Sequence, residues 1–178
     1  MDQPVELIPM VCPKCNTQVP AETDEVAWVC AQCGQGLLLD EEKGLAPIEV
    51  HFAAGIPSGA KGKPFWVADG QVETRRQTYS GNQDSEAQKF WSQPRRFYIP
   101  AFAGTLDDRL NLAMSVMAHP PALQAGPAAP FEAVLMHLED VTSATEFVVM
   151  AIEAGRKDKL KELDISLKLS TPVLWILP

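Results

Sequence analysis

The chain has 178 residues, of which 46% are hydrophobic and 21% are charged, and its formal net charge at pH 7 is -8. The length fits one ordinary domain with a small appendage, and the composition is that of a globular protein. The acidic balance argues against a surface built as a whole for nucleic-acid phosphates. No apolar run approaches the roughly eighteen residues of a membrane span.

Two Cys-x-x-Cys pairs near the start of the chain contain all the cysteines of the sequence. They are Cys12, Cys15, Cys30 and Cys33. The fourteen residues between the pairs fall just short of the usual window for a four-thiolate zinc site, yet a hairpin can bridge them. Asn16 and Gly34 follow the pairs and tolerate the positive φ that a knuckle turn needs. Because four thiolates leave no open coordination position, we expect a structural zinc rather than a catalytic one.

Other chemistries of four cysteines are two disulfides, a redox dithiol or an iron centre of rubredoxin type. Disulfides suit a secreted chain, whereas the start of this sequence carries Asp2 and Glu6 and has neither the basic segment nor the apolar run of a secretory leader. We therefore expect a cytoplasmic protein. A redox Cys-x-x-Cys is expected singly. Iron remains an alternative, because the ligands alone do not separate it from zinc.

The segments from Cys12 to Asn16 and from Val29 to Gly34 resemble the zinc-ribbon superfamily, over about residues 8–45. The resemblance implies two knuckles joined by short antiparallel strands. It implies no particular activity, since such ribbons bind nucleic acid, proteins or neither. The rest of the chain resembles uncharacterised bacterial proteins that carry such a ribbon at their start, and this brings no activity with it.

Within the ribbon, short apolar runs predict strands at residues 26–29 and 36–39, and the polar residues 40–44 predict a turn that ends it. Trp28 and the leucines at 37–39 need cover that so small a ribbon cannot supply. We expect them to dock on the following domain or to form an exposed apolar patch. The sequence thus predicts a zinc ribbon at residues 1–46 and a second domain at residues 47–178.

The second domain combines strands and helices in an α+β pattern, as a mainly antiparallel sheet with two helices. Strands are predicted at residues 48–52, 65–68, 71–79, 95–102, 163–169 and 173–177. Asp69-Gly70 predicts a hairpin between the second and third of these, and residues 80–88 read as an exposed loop. The last strand is apolar on both faces, so it is either a central strand or one that meets another chain.

Helical spacing predicts one helix from Thr105 to His119 and another that begins between residues 137 and 143 and ends at Ala154. Thr105 is the expected N-cap of the first helix, and Gly155 is the expected stop of the second. The predicted buried stripe of the second helix consists of Val141, Ala144, Phe147, Val148, Ala151 and Ile152.

Aromatic residues and arginines alternate through residues 65–102, which suggests a nucleic-acid-binding segment. Its candidate phosphate ligands are Arg75, Arg76, Arg95 and Arg96. Residues 61–96 carry a net charge of +3, whereas residues 1–46 carry two lysines against eight acidic residues. The alternative interpretation, aromatics in a sheet core and arginines over its outer face, is favoured by these acidic surroundings.

No catalytic motif is recognisable, and His51, His119 and His137 have no partner at a nucleophile-base or metal-ligand spacing. The sequence therefore predicts a non-enzymatic zinc-binding accessory or scaffolding protein that contacts a protein partner or a second copy of itself. A nucleic-acid-binding accessory factor is the alternative.

Overall fold

The polypeptide forms two β-sheets and three α-helices over residues 8–178, the range that this computed structural model describes. The predicted α+β class is confirmed, with one helix more than the two predicted. Residues 1–7 lie outside the described range. They include Asp2 and Glu6, on which the prediction about a secretory leader rests. None of the helices within the range is long and apolar enough to cross a membrane.

The first sheet has three short antiparallel strands, one before the second cysteine pair and two after it. They are β1 (Ala27–Val29), β2 (Gly36–Asp40) and β3 (Gly44–Ile48), with β2 in the middle. β1 and β2 confirm the two strands predicted for the ribbon. The turn at residues 40–44 does not end the ribbon as predicted, because it reverses the chain into β3, which pairs with β2 along its length. β3 runs through residues 46 and 47, where the sequence placed a domain boundary.

The second sheet is larger and mixes one parallel pair with antiparallel pairs. Its strands are β4 (Val50–Phe52), β5 (Lys63–Ser80), β6 (Arg95–Pro100), β7 (Lys159–Leu169) and β8 (Val173–Leu177). Their order is β4-β8-β5-β6, and β7 also pairs with β5. β4 and β8 are parallel, and the other pairs are antiparallel. The apolar end of the chain is thus an interior strand, in which Leu174 and Ile176 are fully buried.

A single strand of 18 residues, β5, replaces the hairpin predicted at Asp69-Gly70. Both residues lie within the ladder with β6, where Asp69 pairs with Arg96 and Gly70 with Arg95. A Cβ added at Gly70 would lie 2.8 Å from a ring carbon of Phe97 and 2.9 Å from a methyl group of Leu169. The glycine therefore permits close side chains on neighbouring strands rather than a turn.

β7 and β8 together form one long antiparallel partner for β5. β8 covers residues 63–67 of β5, and β7 covers residues 70–80. The break between them at residues 170–172 is bridged by a hydrogen bond of 2.8 Å from Ser170 N to the carbonyl oxygen of Asp69. β7 and β8, which are separate strands in the sequence, therefore lie end to end along one side of β5. β5 is the strand with which β6, β7 and β8 all pair.

Three helices pack around this sheet: α1 (Asp84–Trp91), α2 (Leu106–Ala118) and α3 (Val141–Ala154). α2 and α3 confirm the two predicted helices, and Thr105 caps α2 by accepting a hydrogen bond from Asp108 N at 3.1 Å. α1 lies largely in the segment predicted to be a loop. It was missed because only Ala87 and Trp91, one turn apart, are buried on an otherwise polar helix.

The buried face of α3 is rotated from the predicted one. The buried residues are Val141, Thr145, Val148, Val149 and Glu153. Phe147, predicted to be buried, is 46% exposed. The prediction from apolar spacing was wrong because the buried face contains two polar side chains, and both have polar partners. Thr145 Oγ1 donates to the carbonyl oxygen of Val141 at 2.7 Å, and Glu153 lies in a buried cluster of charges.

The ribbon is docked on the second sheet rather than exposed. Val26 N donates to the carbonyl oxygen of Val134 at 2.9 Å, and His137 Nε2 lies 2.8 Å from the carbonyl oxygen of Leu39. Leu38 belongs to the main hydrophobic core. The backbone of the ribbon is thereby held by hydrogen bonds and by shared core packing, which is the first of the two alternatives predicted for its apolar residues.

Candidate metal centre

The first knuckle is a tight turn around Cys12 and Cys15. Cys12 N donates to the carbonyl oxygen of Thr17, and Asn16 N donates to the carbonyl oxygen of Cys12, both at 2.9 Å. Asn16 has a φ of 56°, the positive value predicted for this position. Asparagine is one of the residues that adopt this conformation at least cost. The turn leaves both sulfur atoms on its inner side, facing the second knuckle.

The second knuckle repeats this arrangement around Cys30 and Cys33. Cys30 N donates to the carbonyl oxygen of Gln35 at 2.9 Å, and Gly34 N donates to the carbonyl oxygen of Cys30 at 2.8 Å. Gly34 has a φ of 71°, again as predicted. The two hydrogen bonds match those of the first knuckle position for position. The two Cys-x-x-Cys motifs are therefore equivalent halves of one site.

The four sulfur atoms converge to within 4.8 Å of one another. The Sγ atoms of Cys12 and Cys33 are 3.7 Å apart, and those of Cys15 and Cys30 are 3.5 Å apart. Four sulfurs at about 2.3 Å from a tetrahedral zinc are about 3.8 Å from one another. All four cysteines are free thiols. Their spacing fits a metal ion at the centre, consistent with a zinc-ribbon motif.

The pKa values of Cys15 and Cys33, the second cysteine of each pair, are shifted in opposite directions. A hydrogen bond with the Thr17 side chain, at 3.2 Å, is the largest cause that lowers the pKa of Cys15 to about 6. The backbone N–H of Gln35 acts to lower the pKa of Cys33, but burial and the neighbouring thiols outweigh it and raise that pKa to about 11. Since the thiolate is the form that binds metal, Cys15 is the thiol best prepared to do so.

The cysteines are also part of a small hydrophobic core. Cys12 and Cys30 are buried against Trp28, Leu37 and other apolar side chains of the ribbon. The ribbon has few other interior residues, so its packing depends on the knuckles staying closed. A metal at this position would hold the core of the ribbon together as well as its turns.

Arg76, one of the four predicted nucleic-acid ligands, is buried in an ion-pair cluster. Its guanidinium donates two parallel hydrogen bonds to Asp158, at 2.7 and 2.8 Å. Its Nε lies 2.7 Å from Glu153 Oε2, and Asp84 adds a contact at 3.3 Å. Only 1% of the Arg76 side chain is exposed. The guanidinium is therefore not accessible to a phosphate in this structure.

The other three predicted arginines occupy separate environments. Arg95 lies 3.6 Å from the centre of the Phe90 ring and donates to that residue's carbonyl oxygen. Arg96 forms an exposed ion pair of 2.7 Å with Asp69. Arg75 is exposed on β5. Successive residues of a strand point to opposite faces of the sheet. Arg75 and Arg76 therefore lie on opposite faces of β5, and Arg95 and Arg96 lie on opposite faces of β6. The structure does not gather the four arginines on one face.

Most aromatic residues of the segment 65–102 belong to the core, as the interpretation favoured from the sequence predicts. The buried ones are Phe65, Trp66, Trp91, Phe97 and Tyr98. Phe90 and Phe102 are half-buried, and Tyr79 is 67% exposed. The rings therefore contribute to packing more than to any surface on which bases could stack.

The cluster around Arg76 is what sequence reasoning missed. Glu153 is fully buried, where it accepts a hydrogen bond of 2.7 Å from Trp91 Nε1 and pairs with Arg156 at 2.7 Å. The spacing of Glu153 and Arg156 on neighbouring turns was visible in the sequence. Their burial was not, because it depends on Arg76, which lies 77 positions earlier than Glu153 on another element.

The three histidines stay apart in the structure. The His51 ring stacks on Trp175, with 4.7 Å between ring centres. His119 is exposed at the end of α2, and His137 contacts the ribbon backbone at Leu39. Each histidine therefore has a local packing or solvent environment of its own.

Comparison with models of protein families, with curated proteins and with solved structures found no match to this chain. The class of protein is therefore defined by its own fold and site. It is an α+β protein with a docked N-terminal ribbon whose four cysteines could hold a metal ion.

Proposed function

We propose that this chain is a non-enzymatic protein that carries a structural zinc ion on Cys12, Cys15, Cys30 and Cys33 and acts through contacts with other proteins. The observation that carries the proposal is the closed set of four sulfurs within 4.8 Å. With every coordination position filled by a thiolate, the metal has no position for water or substrate. Its role is then to hold the ribbon on the second sheet.

We propose zinc rather than iron because the cysteine segments resemble zinc ribbons, although both metals accept a tetrahedron of four thiolates. The test is elemental analysis of the purified chain together with its visible absorption spectrum. We expect one zinc per chain and no colour. One iron per chain with the visible absorption of an iron-thiolate centre would contradict the proposed metal and point to electron transfer.

Protein contact is supported by the apolar side chains that the helices leave exposed. The predicted patch at Trp28 and Leu37 is wrong, because both residues are buried in the ribbon core. The exposed apolar residues instead include Phe147 and Met150 of α3, at 46% and 38% exposure. Their spacing of three residues places them next to each other on the helix. Such a patch on a soluble surface is typical of a protein interaction site.

The interaction is tested by affinity purification and light scattering of the wild-type chain beside a variant with Phe147→Asp and Met150→Asp. We expect the wild type to retain a partner protein or to self-associate, and the variant to lose this while keeping its thermal stability. A matched control replaces Thr142 and Glu146, other surface residues of α3, by lysine. Equal retention by the wild type and the Asp variant would refute a role for this patch.

A further inference from the structure

A cavity of about 260 Å³ lies between α2, α3 and β6, away from the cysteine site. Most of its wall is apolar. The apolar wall includes Ile99, Leu106, Leu110, Met136, Phe147 and Val148. The polar residues that line it are Arg109, Asp140 and Ser143. An apolar pocket with a few polar groups is the usual form of a small-molecule site.

Arg109 is the unusual member of this wall. Its Nε is buried and has no hydrogen-bond partner among residues 8–178. The Nε of Arg76 also makes no hydrogen bond within this range, but it lies 2.7 Å from a carboxylate oxygen of Glu153, and the other nitrogens of Arg76 donate to Asp158. Arg156 pairs with a carboxylate, and Arg95 donates to a carbonyl oxygen. Buried donors in proteins are rarely left without an acceptor. The Nε of Arg109, in a half-buried residue, is therefore a buried donor for which residues 8–178 supply neither a hydrogen-bond acceptor nor an ion pair.

The carboxylates around the cavity do not serve as the missing hydrogen-bond acceptor of Arg109. Asp140 lines the cavity but is exposed and makes no ion pair with Arg109 within 4 Å in the described range. Asp108, on the first turn of α2, accepts a hydrogen bond of 2.7 Å from Thr105 Oγ1. Asp107 is exposed on the same turn. The cavity is lined by the first turns of α2 and α3, whose N-terminal N–H groups favour an anion.

We propose that this cavity binds a small molecule with an apolar body and one carboxylate, and that Arg109 anchors the carboxylate. A guanidinium binds a carboxylate through charge-assisted hydrogen bonds, which are stronger than neutral ones. The volume exceeds the roughly 150 Å³ of a cavity that holds benzene, so it accommodates a short alkyl or aromatic body.

The experiment is an NMR titration of the full-length chain as purified with three probes of equal chain length: octanoate, 1-octanol and octylammonium. We expect octanoate to shift the amide signals of the cavity residues and to bind at least tenfold more tightly than either other probe. Acetate should bind much more weakly than octanoate, because it lacks the apolar body. Tighter binding of octylammonium would overturn the proposal and make Asp140 the anchor.

The role of Arg109 is tested by Arg109→Gln, with Arg75→Gln, an exposed arginine on β5, as the matched control. Arg109→Gln should abolish the preference for octanoate over octanol, whereas Arg75→Gln should keep it. Thermal unfolding of both variants checks that the fold is intact. If Arg109→Gln does not fold, Phe147→Ser at the cavity wall provides a second test, with octanoate expected to bind several-fold more weakly. Octanoate affinity unchanged in the folded variants, or no binding to the wild type, would overturn the proposal.

The inference does not depend on the zinc, and the only residue that it shares with the proposed protein contact is Phe147, which lines the cavity and is also partly exposed on α3. The titration reads out the cavity alone, and elemental analysis reads out the metal alone. Failure of one leaves the other standing.

Discussion

Arg76 and Asp158 face each other through two parallel hydrogen bonds of 2.7 and 2.8 Å, although they are 82 residues apart in the chain. The pair joins β5 to the segment between α3 and β7. Both side chains are 1% exposed. Buried charges of this kind are costly unless they are paired, so the geometry of the pair constrains how these elements meet.

Removal of one partner from this cluster should destabilise the fold strongly. Arg76→Met leaves the buried carboxylate of Asp158 without its cation and leaves Glu153 with Arg156 alone, and we expect a loss of about 3–5 kcal/mol in the free energy of unfolding. Arg75→Met, at the exposed neighbouring position, should change it by less than about 0.5 kcal/mol. Urea denaturation of both variants measures the difference. A loss equal to that of the control would mean that the cluster contributes little net stability.

Acid should unfold the protein in a way that depends on Asp158. The hydrogen bonds from Arg76 are the largest cause that lowers the pKa of Asp158, helped by the backbone N–H of Gln83. The carboxylate therefore contributes stability that is fully present above its unfolded pKa of about 3.9. That contribution is lost as the pH falls through the lower pKa of the folded state.

The measurement is the urea midpoint of the wild type and of Asp158→Asn between pH 7 and pH 2. The variant should be less stable at pH 7 and should show a smaller decrease in midpoint below pH 4. Asp164→Asn, on the exposed face of β7, is the control and should keep the wild-type dependence. A variant curve parallel to the wild-type curve at every pH would count against this role of Asp158.

Loss of the metal should unfold the ribbon before the larger sheet. Apparent zinc-binding free energies in isolated zinc fingers are on the order of 10 kcal/mol, and the ribbon core contains the cysteines themselves. We expect Cys30→Ser, or a chelator, to remove hydrogen-exchange protection from about residues 8–45. Gln32→Ser, which changes an exposed residue between the second pair of cysteines, should keep it. Protection unchanged in Cys30→Ser would argue against a folding role for the metal.

A side chain at Gly70 should disrupt the centre of the large sheet. The added Cβ would approach Phe97 and Leu169 to within 3 Å, so Gly70→Ala should cost about 1–3 kcal/mol through overpacking. Gly155→Ala, where the nearest heavy atom is 3.4 Å away, should be close to neutral. Thermal unfolding of the two variants compares them. If Asp69-Gly70 were a hairpin turn, both substitutions would act on loops, and Gly70→Ala would not affect the packing of Phe97.

The four-cysteine cluster is the part of this protein that its sequence predicts best. The spacing of the cysteines and the residues that follow them are local features, and each knuckle is closed by hydrogen bonds within six residues. The positive φ values of Asn16 and Gly34 are local as well. Helices α2 and α3 were predictable for the same reason, because caps and apolar spacing act within a few turns.

Long-range pairing is what the sequence could not show. Asp69-Gly70 has the local chemistry of a hairpin, but pairing with β6 on one side and with β7 on the other keeps β5 straight through it. The buried face of α3 includes Glu153 because Arg76 and Arg156 neutralise it there. Hydrophobic patterns treat glutamate as exposed, so the face was predicted with the wrong rotation.

The sequence by itself determined the four-cysteine cluster, the α+β class and two of the helices. These features follow from spacing, turn chemistry and apolar content over short stretches of chain. The tertiary structure alone decided that the ribbon docks on the larger sheet, that Arg76 is withdrawn from the surface, and that Arg109 lines an apolar cavity. Each of these depends on contacts between residues far apart in sequence, whose energies enter only when the elements pack together.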